Sequence, residues 1–175
     1  TEPRDGLKCP LNTFNKVGAV RPKMESLNVM GRLKIDEDKF DEAAKFLTEA
    51  INKSKEKSLK VSYVSGLGLL GQLEVRRKNY LKAKPLLEEC IKASREMGKY
   101  NTLWESLYWL GVQYKESKQL PQSRDYLKES VAVIEKIRNK VSGGDEARKL
   151  FSSDKNILRA YEALIDVLLQ LGETD

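Results

Sequence analysis

The sequence predicts an all-α protein in which antiparallel helix pairs repeat along the chain. Gly31, Gly71 and Gly111 each follow a large apolar residue and lie 40 residues apart. Four further sets of equivalent positions, which we call columns, recur at the same 40-residue step. Columns of large apolar residues alternate with columns of small residues. They are Phe40, Tyr80 and Leu120; Ala43, Ala83 and Ser123; Leu47, Leu87 and Leu127; and Ala50, Cys90 and Ser130.

The spacing within each 40-residue unit predicts two helices that cross closely. Small residues allow close approach of two helix backbones, and large apolar residues fill the space beside the crossing. The polar stretch after each glycine leaves room for a last helical turn and a short connection, as in "QLEVRRKN". We therefore expect three complete units, at about residues 22–57, 58–98 and 99–140.

Two prolines bear on where the second helices of the units begin. Pro121 suits the first turn of a helix, where its missing N–H costs nothing. Pro85 has two interpretations. It either lies early in a helix, removing one backbone hydrogen bond, or delays the helix start to about Lys84.

These columns resemble the tetratricopeptide repeat (TPR) motif, W-x2-L-G-x2-Y followed by A-x3-F and a small residue. The third unit matches best, with Trp104, Leu107, Gly111 and Tyr114 at motif positions. Lys34 and Glu74 replace the motif tyrosine in the other two units, which also lack the tryptophan. The 40-residue period is similar to that of kinesin-light-chain-type repeats. The resemblance implies an α-solenoid that forms a right-handed superhelix.

The regular register ends after the third unit. Residues 141–153 are predicted to form an inserted connection with a glycine pair and a short helix. Residues 154–175 are predicted to be the first helix of a fourth, truncated unit, because Leu171-Gly172 repeats the apolar–glycine pair. The apolar stripe of this helix is broad, so we expect a following helix, a partner or a second copy of the chain to cover it. Residues 1–21 do not join the register and are either a loop or the tail of a preceding helix.

Composition argues against most catalytic chemistry. The chain has no histidine, and Cys9 and Cys90 are its only cysteines. Without histidine there is no Ser–His or Cys–His nucleophile and no imidazole metal site. No glycine-rich phosphate loop is present either. We therefore expect no enzymatic activity, cofactor or metal.

The cysteines and the hydropathy pattern bear on where the chain works. Two distant free thiols indicate a reducing compartment, and Cys90 falls on an apolar helical face, so we expect it to be buried. No apolar run is long enough for a spanning helix and no secretory signal is visible. These observations favour a cytoplasmic protein.

The TPR resemblance implies that the first helices line a concave groove, where partners bind. We expect this groove to bind a peptide or helix of a partner protein, with Gly68 leaving a gap beside the aromatic surface of Tyr108 and Trp109. The carboxylate clamp of chaperone-binding TPR domains is missing. Trp104 is expected in the core, whereas Trp109 suits either core or groove. The predicted groove residues are Asn28, Arg32, Gly68, Gln72, Arg76, Glu105, Tyr108, Trp109, Val112 and Lys115.

Two other functions compete with a plain interaction scaffold. The final segment, "RAYEALIDVLLQLGETD", resembles the last TPR unit that precedes a CHAT domain, a caspase-like peptidase module, which implies the sensing or regulatory arm of a larger peptidase. Residues 53–99 hold twelve Lys or Arg and five Glu, so a basic face could contact nucleic acid. Such runs more often form solvated helix faces, and aromatic side chains for base stacking are scarce here.

Overall fold

The structure is a computed structural model that describes residues 11–140 and 155–173, with side chains from residue 20 onward. The described chain consists of seven α-helices and contains no strand. The predicted all-α fold class is confirmed. The helices are α1 Leu11–Asp36, α2 Phe40–Glu56, α3 Lys60–Arg76, α4 Tyr80–Met97, α5 Tyr100–Glu116, α6 Leu120–Arg138 and α7 Lys155–Leu171.

Consecutive helices pack against each other to form a solenoid of helical hairpins. In addition, α3 packs against both α1 and α5, so the first helices of the pairs form a continuous layer. The second helices α2, α4 and α6 cover this layer from the other side. In helical-repeat proteins such a layer lines one extended face of the array.

Five turns between helices share one backbone conformation at a 20-residue step. Residues 38, 58, 78, 98 and 118 all have φ between 54° and 64°. After each of them, the next N–H bonds back to a carbonyl five residues earlier, as from Asn79 to Glu74 O at 2.8 Å. This is the hydrogen-bond pattern of a left-handed helix cap. Only Gly98 among the five is a glycine, so no glycine marks the other four turns in the sequence.

The glycine column marks where the two helices of each pair cross. A Cβ at Gly71 would lie 2.6 Å from Leu87, and one at Gly111 would lie 2.7 Å from Leu127. Gly31 has the same relation to Leu47. The leucines of the column are fully buried. The repeated glycine therefore provides the space that the repeated leucine fills.

The small-residue columns also form buried hydrogen bonds between the helices. Ser130 donates to the carbonyl of Trp104 at 2.9 Å, and Cys90 bonds to the carbonyl of Val64 at 3.2 Å. These two pairs are one 40-residue step apart. Cys90 is fully buried and is free, as expected.

The helix bounds show where each proline lies in its helix. Pro121 lies at the start of α6, as predicted. Pro85 lies inside α4, which begins at Tyr80, so the alternative of a helix start near Lys84 is wrong. The first helix also begins earlier than the repeat pattern indicated, at Leu11, and continues through Pro22. Cys9 and the predicted connection at 141–153 lie outside the described residues.

The fourth glycine of the series differs from the first three. Gly172 follows the end of α7 with φ 73°, and a Cβ there would meet nothing within 4 Å. Gly172 caps the end of α7 in a left-handed conformation, whereas the first three glycines lie inside their helices.

The last helix has a buried side and an open side. α7 packs mainly on α6 and touches α5 less. Ile157, Ala160 and Val167 are buried, whereas Leu164, Leu168 and Leu171 are only half-buried. Exposed apolar side chains line the remaining side of the helix. They are Leu158, Ile165 and Leu169.

Candidate functional site

A cleft of about 630 Å³ lies on the layer of first helices. We call it the aromatic cleft. Side chains from α1, α3, α5 and α7 line it, so four helices that are distant in sequence contribute to one site. The lining residues are Arg32, Asp36, Gln72, Arg76, Trp104, Glu105, Tyr108, Trp109, Lys155, Asn156 and Arg159.

Six of the ten predicted groove residues are brought together here. They are Arg32, Gln72, Arg76, Glu105, Tyr108 and Trp109. The other four lie elsewhere along the same layer of helices. Because the first helices stack side by side, positions that repeat at 40 residues fall next to one another.

The aromatic wall of the cleft comes from α5. The rings of Tyr108 and Trp109 meet edge to face, with centroids 5.0 Å apart and an interplanar angle of 68°. Both side chains are half-buried and pack against the core, while Trp104 beside them is buried, as expected. Burial raises the pKa of the Tyr108 hydroxyl, and the nearby Arg159 opposes that rise. Trp109 therefore combines core contact with an exposed part that faces the cleft.

One arginine joins α1 to α5 across the cleft. Arg32 donates from both terminal nitrogens to Glu105, with N–O distances of 2.8 and 3.3 Å. The two residues are 73 positions apart in sequence. Such fork-shaped pairs fix geometry better than a single hydrogen bond.

A second arginine, Arg76, connects the second helix pair to the first. Arg76 donates to the carbonyl of Ile35 at 2.6 Å and to the carboxylate of Asp38 at 2.5 Å. Its guanidinium lies 5.2 Å from the ring centroid of Phe40. Arg77 pairs with Asp41 in the same connection. The basic cluster of residues 76–78 thus places two of its charges against carboxylates of the preceding unit, which weakens the case for a nucleic-acid face.

The side of the cleft formed by α7 was not predicted. Lys155 and Arg159 are exposed, lie one helical turn apart and carry positive charge into the cleft. The predicted fourth unit was aligned on Leu171-Gly172 at the other end of α7, so the repeat pattern did not indicate these residues.

Lys115 and Val112 lie at the far end of α5, outside the aromatic cleft. Lys115 forms an ion pair with Asp166 of α7 and thereby ties the last helix to α5. The hydrogen bond from Lys115 is the main cause of the lowered pKa of Asp166. Val112 is half-buried and packs against the core.

Asn28 lies in a separate pocket of about 230 Å³ between α1 and α3, which we call the N-terminal pocket. Its side-chain amide donates to the carbonyl of Ser62 at 2.9 Å. Its Oδ1 is buried and has no hydrogen-bond partner among the described residues. Val29 and Val61 give this pocket an apolar rim, being 58% and 42% exposed.

The gap expected at Gly68 is largely filled. A Cβ there would lie 3.1 Å from Cys90 Sγ and 3.2 Å from Ser106 Oγ. The glycine lines only a small space of about 40 Å³ between the N-terminal pocket and the aromatic cleft. Its absent side chain therefore lets α4 and α5 approach α3.

Comparison with known proteins gives no further guide to the site. Neither a protein-family model nor a curated protein sequence matches this chain. Among the described helices, none has the length and apolar character needed to cross a membrane.

Proposed function

We propose that this chain is a TPR-type interaction scaffold that binds a peptide segment of a partner protein in the aromatic cleft. The 40-residue columns and the glycine–leucine crossings support the TPR assignment. The location of the cleft on the layer of first helices supports the binding site, because TPR proteins bind partners on that layer.

The observation that carries the proposal is the aromatic wall opposite a basic rim. Tyr108 and Trp109 offer partly exposed ring surface, and large aromatic side chains are frequent energetic anchors at interfaces. Lys155 and Arg159 face them from α7. Of the six charged groups that line the cleft, four are basic and two are acidic. A peptide with an apolar or aromatic anchor beside an acidic residue fits this combination.

Selection from a displayed peptide library tests the proposal without a known partner. The purified chain is the bait, and sequencing of the retained peptides gives the consensus. We expect an apolar anchor next to Asp or Glu. Enrichment of no peptide, or of peptides that the Trp109→Ala protein retains equally, would count against the aromatic cleft.

Two further variants test the contribution of the basic rim. Arg159→Ala should weaken the binding of the retained peptides and lower the salt dependence of that binding, because one charge contact is lost. Leu81→Ala is the matched control, since Leu81 is 93% exposed on α4 and lies outside the cleft. It should leave peptide binding unchanged.

A further inference from the structure

We propose that the Arg32–Glu105 ion pair is a clasp that closes the concave groove and keeps the N-terminal pocket separate from the aromatic cleft. Opening the pair would join the two spaces into one longer groove. The kind of ligand that enters this groove rests on the proposed function, whereas the closing of the groove by the ion pair depends only on the geometry of the chain.

The first reason is that the pair connects non-neighbouring units. In a helical-repeat array each unit ordinarily contacts only the units beside it. Here α3 lies between α1 and α5 and packs against both. Nevertheless, Arg32 of α1 reaches over α3 to Glu105 of α5. A link between first and third units constrains the curvature of the whole array.

The second reason is the position of the pair in the groove. Arg32 borders the aromatic cleft, the N-terminal pocket and the small space between them. Glu105 borders the aromatic cleft and the small space. The floor below them comes from α3, where Ser65, Leu69 and Gln72 line that small space. The pair therefore sits where one continuous groove would have to pass.

The third reason is that the pair is weak enough to open. Its side chains are 44% and 27% exposed, so water and salt reach both charges. Exposed ion pairs shift an equilibrium by no more than about fivefold. A contact of that strength holds a preferred curvature and still yields to a ligand or to salt.

Trp109 offers a local probe of the clasp because it borders the same small space as Arg32 and Glu105. In a Trp104→Phe background it is the only tryptophan in the chain. Quenching of its fluorescence by acrylamide, which is uncharged, reports access to the groove. The radius of gyration from solution X-ray scattering reports curvature. Neither measurement needs a ligand.

The variants are Arg32→Ala, Glu105→Ala and the charge swap Arg32→Glu with Glu105→Arg. Each single variant should raise both the quenching constant and the radius of gyration, and the swap should return both toward wild type. At a salt concentration of about 1 M the screening length falls to about 3 Å. This salt should raise the quenching constant and the radius of gyration of wild type and change those of the single variants little.

Arg95→Ala is the matched control, because it removes the Arg95–Glu129 pair between α4 and α6 on the other layer. It should change neither quantity. Unchanged quenching and radius in both single variants would overturn the clasp, as would a swap that restores neither or a control with the same effect. If these measurements fail while Trp109→Ala still abolishes peptide capture, only the clasp is lost and the proposed function stands.

Discussion

Leu127 packs so closely on Gly111 that a Cβ at position 111 would lie 2.7 Å from the leucine Cγ. The same relation recurs between Gly71 and Leu87. This distance is shorter than real Cβ contacts, and both leucines are fully buried. Each helix pair is therefore built around a crossing that admits no side chain on the first helix.

Gly111→Ala should destabilise the chain. Alanine gains up to about 1 kcal/mol of helix propensity over glycine, but overpacking a buried contact costs about 1–3 kcal/mol. We expect a net loss in the free energy of unfolding, measured by urea denaturation. Asn101→Ala, at an exposed position of the same helix, is the control and should change it by less than about 0.5 kcal/mol. A stabilised Gly111→Ala protein would show that the crossing can relax.

The repeated left-handed turns make glycine favourable at unusual positions. Lys78 and Lys118 have φ of 59° and 60°. Non-glycine residues pay about 1–2 kcal/mol for this conformation, which exceeds the extra unfolded-state freedom of glycine. Lys78→Gly and Lys118→Gly should therefore each raise the melting temperature, and Gly98→Ala should lower it. Lys82→Gly, inside α4, should be destabilising and serves as the contrast.

Cys90 should behave as a buried structural thiol. Its pKa is raised, mainly by burial, so little reactive thiolate forms near neutral pH. In a Cys9→Ser background, Cys90 should react with a thiol reagent only at the rate of global unfolding. Rapid reaction in the native protein would contradict the burial.

Serine should be a good replacement at this position. Ser130 occupies the equivalent place in the next unit and bonds a carbonyl there. Cys90→Ser keeps a donor for the carbonyl of Val64, whereas Cys90→Val loses it and adds bulk. We expect the serine variant to unfold at a higher urea concentration than the valine variant. The reverse order would mean that the hydrogen bond contributes little.

Tyr80 and Tyr161 should make the fold sensitive to alkali. Burial, followed by hydrogen bonds to Glu116 and Glu135, raises the pKa of each to about 12. Their unfolded-state pKa is about 10, so the folded chain holds these protons longer. Stability should therefore be undiminished below about pH 10 and fall as pH rises toward 12. The double Phe variant should show a shallower fall. An equal fall in both proteins would exclude these tyrosines as the cause.

The sequence carried enough information for the fold because its apolar and small columns record direct helix contacts. Ala43, Leu47 and Ala50 repeat because each lies fully buried in a helix crossing. Four of the five left-handed turns could not be recognised from the sequence, because aspartate, serine and lysine occupy positions where glycine is usual.

The candidate site was only partly predictable. Repeat positions brought Gln72, Tyr108 and Trp109 to one face, because first helices stack in register. The Arg32–Glu105 pair could not be predicted, since two residues 73 positions apart meet only through the curvature of the array. Arg159 was missed because α7 follows an insertion, and its contacts with α5 decide which of its residues enter the cleft.

The affinity of a selected peptide for wild type and for Trp109→Ala, measured by titration calorimetry with thermal melts of both proteins, tests the central proposal most directly. An interface anchor contributes about 2 kcal/mol or more, or about thirtyfold in Kd. We predict at least this loss in the variant, with a melting temperature close to that of wild type. Equal affinity in a folded variant, or loss of binding only together with unfolding, would contradict the aromatic cleft as the binding site.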